Sequence, residues 1–135
     1  MPRYVPKEKI IEINKEITAH YGQPHVIQQE ANLVHALESV EHYGEGIKEE
    51  EGKILKKAAH LLKKLAYEAH VFADGNKRTT FVCVWTFLEI NGYLLPHDGE
   101  KGQEERAKLM KDAAEGKLPI GAIYRWLKRN VIKIQ

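Results

Sequence analysis

The sequence holds a single cysteine, Cys83, in 135 residues. No internal disulfide can form, and a lone thiol fits a reducing cytosol. A net excess of either sign of charge is also lacking. The formal net charge is +2, too small to argue for a nucleic-acid partner. No stretch approaches the length of a transmembrane span, and the opening Met1-Pro2-Arg3-Tyr4-Val5-Pro6 carries no apolar signal region. The expectation is a cytoplasmic protein with no membrane association and no direct nucleic-acid binding. β-Alternation of useful length, internal repeats and low-complexity tracts are missing. So are the Gly-x-x-x-x-Gly-Lys-(Ser/Thr) phosphate loop and the His-Glu-x-x-His zinc motif.

What is present is a globular composition, 43% hydrophobic and 30% charged, at a length that supports one core. One domain over residues 1–135 is expected. Pro6 and Tyr21-Gly22 bracket a helix over 7–20, with Ile10, Ile13 and Ile17 at helical spacing. A second helix is expected over about 28–42, with Leu33, Val34, Leu37 and Val40 inward. Residues 45–52 are short, acidic and aperiodic, with room for a flap-like extended piece. The strongest amphipathic pattern spans 53–69: Ile54, Ala58, Leu61, Leu62, Leu65 and Ala69 form one stripe, and Lys56, Lys57, Lys63 and Lys64 lie off it. A helix starting near Asn76 or Lys77 is apolar nearly all round from Phe81 to Ile90, which predicts a central buried helix ending at Asn91-Gly92. A weaker helix over 104–115 and a last one opened by Pro119 complete an all-α, single-domain helical bundle of about six helices.

Between two apolar helices lies the run His70-Val71-Phe72-Ala73-Asp74-Gly75-Asn76-Lys77-Arg78-Thr79-Thr80-Phe81. An imidazole can act as a general base near neutral pH. Asp74 can hold Mg²⁺, which often uses only one or two protein carboxylates. Gly75, Asn76 and Lys77 suit an anion cradle, because first-turn N–H groups have no helical partner. Arg78 can hold phosphate oxygens through paired hydrogen bonds. A cation in a helix's first turn opposes the dipole, so its presence favours a bound anion. The bland alternatives are a helix-capping His70, an Asp-Gly turn, an N-capping Asn76 and a solvated Arg78. Phe72, Cys83 and Trp85 read as core.

This run resembles the signature of the Fic/Doc superfamily, His-Pro-Phe-x-(Asp/Glu)-Gly-Asn-(Gly/Lys)-Arg-x-x-Arg, and within it the Doc (death-on-curing) branch. His70, Phe72, Asp74, Gly75, Asn76 and Arg78 match, and Lys77 is the Doc-like form. Val71 replaces the proline and Phe81 the final arginine. The resemblance implies an all-α fold. It also implies a Doc-like toxin of a toxin–antitoxin pair that transfers the γ-phosphate of ATP, with Mg²⁺, to a protein Ser or Thr hydroxyl. His70 would be the catalytic base, Asp74 the Mg²⁺ ligand, and Gly75, Asn76, Lys77 and Arg78 the phosphate-binding residues. Translation elongation factor Tu would be the target and a Phd-like antitoxin the partner. The rivals are AMP transfer, the usual Fic reaction, and a catalytically idle protein-binding module. Many Fic proteins carry an inhibitory Ser/Thr-x-x-x-Glu-(Gly/Asn) segment. Here the nearest run, Lys111-Asp112-Ala113-Ala114-Glu115-Gly116, has lysine at its head, so control by a separate chain is expected. His97-Asp98 resembles the dyad of HD-type metal phosphohydrolases, but no further ligands have assigned places. His35 and His42 lack a third ligand.

Overall fold

In a computed structural model that describes residues 1–96 and 99–134, α3 (Glu50–Lys63) packs against α2 (Glu30–His42), α4 (Asn76–Ile90), α5 (Glu100–Ala114) and α6 (Ile120–Asn130). Its Ile54, Leu55, Ala58, Leu61 and Leu62 are all buried. The preceding α1 (Lys7–His20) lies against α2 and α4. α4 buries Phe81, Cys83, Val84, Phe87 and Leu88 but leaves Val82 and Ile90 exposed and Trp85 half-buried. Its apolar circumference therefore serves a core on one side and a groove on the other. Burial of Cys83 pushes its thiol up to about 12, so it is an inert core residue.

α1 has the expected limits, and all four helices of the second half lie near their expected places. α2 turns Ala36 inward, with Leu33 and Val40, and leaves Val34 exposed. The expected extended piece over 45–52 is a turn followed by the start of α3. The Glu49 carboxylate accepts from Gly52 N–H at 3.1 Å, and Glu50 and Glu51 complement the helix dipole in the first turn. Acidity there marks a capped helix end.

Lys57 is not on a solvated face. It is fully buried, and its Nζ donates to the Val40 and Glu41 carbonyls, each at 2.9 Å. Those carbonyls end α2 and have no helical donor, so the lysine supplies one. Burial lowers the Lys57 pKa, with the Glu45 carboxylate at 3.7 Å opposing that shift.

Two short strands, β1 (Tyr93–Leu94) and β2 (Ile132–Lys133), pair antiparallel and tie the last residues to the turn after α4. Two residues are too few to leave an alternating signature. No helix among the described residues is long and apolar enough to cross a membrane. His35 and His42 are both exposed, and no metal-holding group of three His, Cys, Asp or Glu occurs among the described residues. His97-Asp98 lies outside them.

Candidate active site

The chain approaches His70 through a change of helical pitch. α3 runs into a π turn (Lys64–Glu68), closed by Ala69 N–H donating to the Lys64 carbonyl at 2.9 Å. The five-residue step buries Leu65, Ala66 and Ala69 while leaving Tyr67, Glu68 and His70 exposed. Such turns are rare and gather at functional sites.

His70 has φ 47, the sole non-glycine with positive φ among the described residues. That conformation costs on the order of 1–3 kcal/mol and persists only where the surroundings enforce it. Here both flanks are tied down. Asn32 Nδ2 donates to the Ala69 carbonyl at 2.8 Å. The Val71 carbonyl accepts from Gln28 and Gln29 N–H at 2.8 and 3.0 Å, and Ala73 N–H donates to the Val26 carbonyl at 3.0 Å. Buried Val71 and Phe72 anchor the strap, and His70 stands at its crest.

Asn76 closes the loop on itself. Its Oδ1 accepts from Phe72 N–H at 3.1 Å, and its Nδ2 donates to the Phe72 carbonyl at 2.6 Å. Gly75 sits at the cap of α4 with φ 77, and a Cβ there would stand 3.3 Å from Asn14 Nδ2. The close approach that the glycine permits is therefore to α1. Gly75 has no side chain with which to cap α4, so the first-turn N–H groups of Asn76, Lys77 and Arg78 have no side-chain acceptor there.

Asn14, on α1, is a site residue that the motif does not contain. It is fully buried. Its Nδ2 donates to the Asp74 carbonyl at 2.9 Å and to Thr79 Oγ1 at 3.0 Å. Its Oδ1 lies 2.8 Å from His25 Nδ1. Because the Asn14 amide nitrogen is the donor in the first two bonds, its oxygen accepts from His25, and Nδ1 carries that proton. One signal was available: a polar side chain inside the stripe of Ile10, Ile13 and Ile17.

The outward-facing groups divide between two places. His70 and Asp74 lie on the loop. Asp74 is half-buried, and no hydrogen bond or ion pair among the described residues engages its carboxylate. Lys77 and Arg78 line a groove of about 810 Å³ between α1, α4 and α5, bordered also by Tyr21, Phe81, Trp85 and Arg106. Neither His70 nor Asp74 lines it. The guanidinium carbon of Arg78 lies 3.9 Å from the centre of the Tyr21 ring, so Arg78 is not solvated on all sides. Trp85 packs against the core and also walls the groove, and its Nε1 donates to the Leu95 carbonyl at 3.0 Å. Glu115 is exposed and pairs with Lys117 at 2.8 Å.

Comparison with known proteins gives a family and a relative. The model of the Fic/DOC family matches residues 4–88. A curated protein named Toxin Doc, from Mycolicibacterium smegmatis, is 44% identical over 62 residues, which is 46% of this chain and 45% of that protein. The match thus spans less than half the length of that relative.

Proposed function

The chain belongs to the Fic/DOC family, and from that premise we propose that it is a Doc-like toxin enzyme that moves the γ-phosphate of ATP onto a Ser or Thr hydroxyl of a protein. The reading rests chiefly on one arrangement: an exposed histidine in enforced left-handed backbone, joined through residues 71–75 to a helix N-terminus that carries two cations and lacks a capping side chain. Cations and free N–H groups at that end are unfavourable in an empty site and favourable around phosphate. The groove volume falls in the range that takes a small ligand of nucleotide size.

In this reading His70 takes the proton of the acceptor hydroxyl as its oxygen attacks the γ-phosphorus. The bond from that phosphorus to the bridging oxygen breaks, and ADP leaves. Arg78, Lys77 and the α4 N–H groups hold the phosphate chain in line, which is most of what phosphoryl transfer asks of a protein. Asp74 fits as the single carboxylate for a nucleotide-borne Mg²⁺, since that ion takes its remaining ligands from phosphates and water. Mg²⁺ there would neutralise charge on the phosphate oxygens. Gly75 and Asn76 contribute backbone N–H groups and the shape of the loop. The target class implied by resemblance is elongation factor Tu, and the partner a Phd-like antitoxin.

AMP transfer uses the same base with the triphosphate reversed. Lys77 lines the groove, and a long cationic side chain at the cradle mouth favours the γ-phosphate pose. The test is incubation with γ-labelled and, separately, α-labelled ATP in a cell extract. Label on a protein from γ-labelled ATP alone supports phosphate transfer. Label from α-labelled ATP means AMP transfer, and no label from either means a binding module.

A further inference from the structure

The buried amide of Asn14 is turned one way only. Its Nδ2 donates to the Asp74 carbonyl at 2.9 Å and to Thr79 Oγ1 at 3.0 Å, and it stands 3.3 Å from where a Cβ on Gly75 would lie. A flipped amide would set its oxygen against the Asp74 carbonyl oxygen, two acceptors with no proton between them. The group that holds the other end is His25, in the connection between α1 and α2, with Nδ1 2.8 Å from Asn14 Oδ1. His25 is itself tied to the motif loop. Its half-buried ring lies 6.1 Å from the Phe72 ring, centre to centre. The carbonyl of the next residue, Val26, accepts from Ala73 N–H, and Ile27 pairs antiparallel with Phe72. One relay thus runs from a ring in the connection, through α1, to the peptide that carries the Asp74 side chain.

We propose that His25 is a positioning residue for Asp74: its Nδ1–H fixes the Asn14 amide, and the amide fixes the peptide from which the Asp74 carboxylate projects. The assignment rests on the reading above of Asp74 as the carboxylate for a nucleotide-borne Mg²⁺. That carboxylate has no hydrogen bond or ion pair of its own among the described residues, so its backbone sets its place. Mg²⁺ demands near-ideal octahedral geometry, so a small shift of one carboxylate costs affinity. A partner one step behind a metal ligand typically contributes about 10–100-fold in metal affinity, and His25 stands one step further back, so about tenfold is expected. A packing role would need the ring but not its proton. Asparagine can place an amide N–H where the Nδ1–H lies, and leucine cannot.

Calorimetric titration of the full chain with ATP, in excess EDTA and across a series of Mg²⁺ concentrations, tests it. The variants are His25→Leu, His25→Asn and, as a probe of the metal reading, Asp74→Asn. In His25→Leu the Mg²⁺ concentration that half-saturates the gain in ATP affinity should rise by about tenfold, with affinity in EDTA near the wild-type value. His25→Asn should bring that midpoint back towards wild type. Equal losses with and without Mg²⁺, or no recovery in His25→Asn, would mean that the ring only packs on Phe72, and the assignment falls. An unchanged midpoint in His25→Leu, with the gain lost in Asp74→Asn, overturns the His25 assignment alone. A wild type whose ATP affinity ignores Mg²⁺ removes the Asp74 reading and His25 with it. If His25→Leu does not fold, the wild type still decides. Long-range proton–nitrogen NMR correlation of the His25 ring should show the neutral tautomer protonated at Nδ1, and a proton on Nε2 refutes the relay.

Discussion

Asn14→Ala should damage the protein more than any other single surface-distant polar change on α1. The side chain is fully buried and makes three hydrogen bonds, to the Asp74 carbonyl, Thr79 Oγ1 and His25 Nδ1. Each such bond contributes about 1 kcal/mol net, and a buried partner left unsatisfied costs about 1–3 kcal/mol. Thr79 is buried, so its hydroxyl is the partner least able to find water. The sum is about 2–4 kcal/mol, a large part of the roughly 5–15 kcal/mol that holds a domain together. At this chain length it corresponds to a fall in Tm of roughly 10 °C. Urea unfolding of wild type, Asn14→Ala, Thr79→Val and the double variant measures both the cost and the coupling. The two single costs should exceed that of the double variant by about 1 kcal/mol, because both remove one shared bond. A cost below about 0.5 kcal/mol, or strict additivity, would show that Asn14 does not join α1 to the loop.

His70→Ala should abolish transfer in single-turnover assays while ATP affinity and Tm stay close to wild type; a variant that keeps most of its rate would remove His70 as the base. Lys77→Gly should lose phosphate transfer to the target, read by intact-mass analysis, and an unchanged phosphate yield would show that Lys77 selects nothing. Glu115→Gly should leave basal activity nearly unchanged, since Glu115 is exposed and paired with Lys117; a large rise would reveal self-inhibition. Burial, with the Lys64 and Lys57 charges, lowers the pKa of His60, while Glu68 opposes the shift. Its folded pKa thus lies below the ordinary value of 6.5, so the stability it contributes is present above that value and lost as pH falls. His60→Gln should flatten the loss of stability below about pH 6.5, and an unchanged slope would assign the acid sensitivity elsewhere.

The parts of this fold that could be read beforehand are those set by short-range signals. Pro6 and Tyr21-Gly22 bound α1, and the change from polar loop to apolar run at Asn76 starts α4. What could not be read depends on distant pairs. The π turn at Lys64–Glu68 is built of ordinary helix formers, and burial of Leu65, Ala66 and Ala69 accompanies it without leaving a local mark. Lys57 looks like one more surface lysine until the end of α2 is placed over it. Arg106 lies on a weakly amphipathic helix, and no local signal marks its place over the Phe81 ring in the groove.

The motif itself was visible, but it mixes two kinds of residue that a linear match cannot separate. Phe72, Gly75 and Asn76 face the protein: one is buried, one lies against α1, and one bonds both ends of its side chain to Phe72. His70, Asp74, Lys77 and Arg78 face outward or into the groove. Loss of activity at Asn76 or Gly75 is therefore what either a broken loop or a lost ligand contact would produce. An alanine at Gly75 would have to hold φ near 77 and meet Asn14, so it perturbs the loop before it touches any phosphate. Changes at His70 and Arg78 carry no such ambiguity, because neither side chain supports the loop by a hydrogen bond among the described residues. Among the described residues Arg78 lies against the Tyr21 ring, so a variant there that keeps the wild-type Tm and loses nucleotide reports on binding.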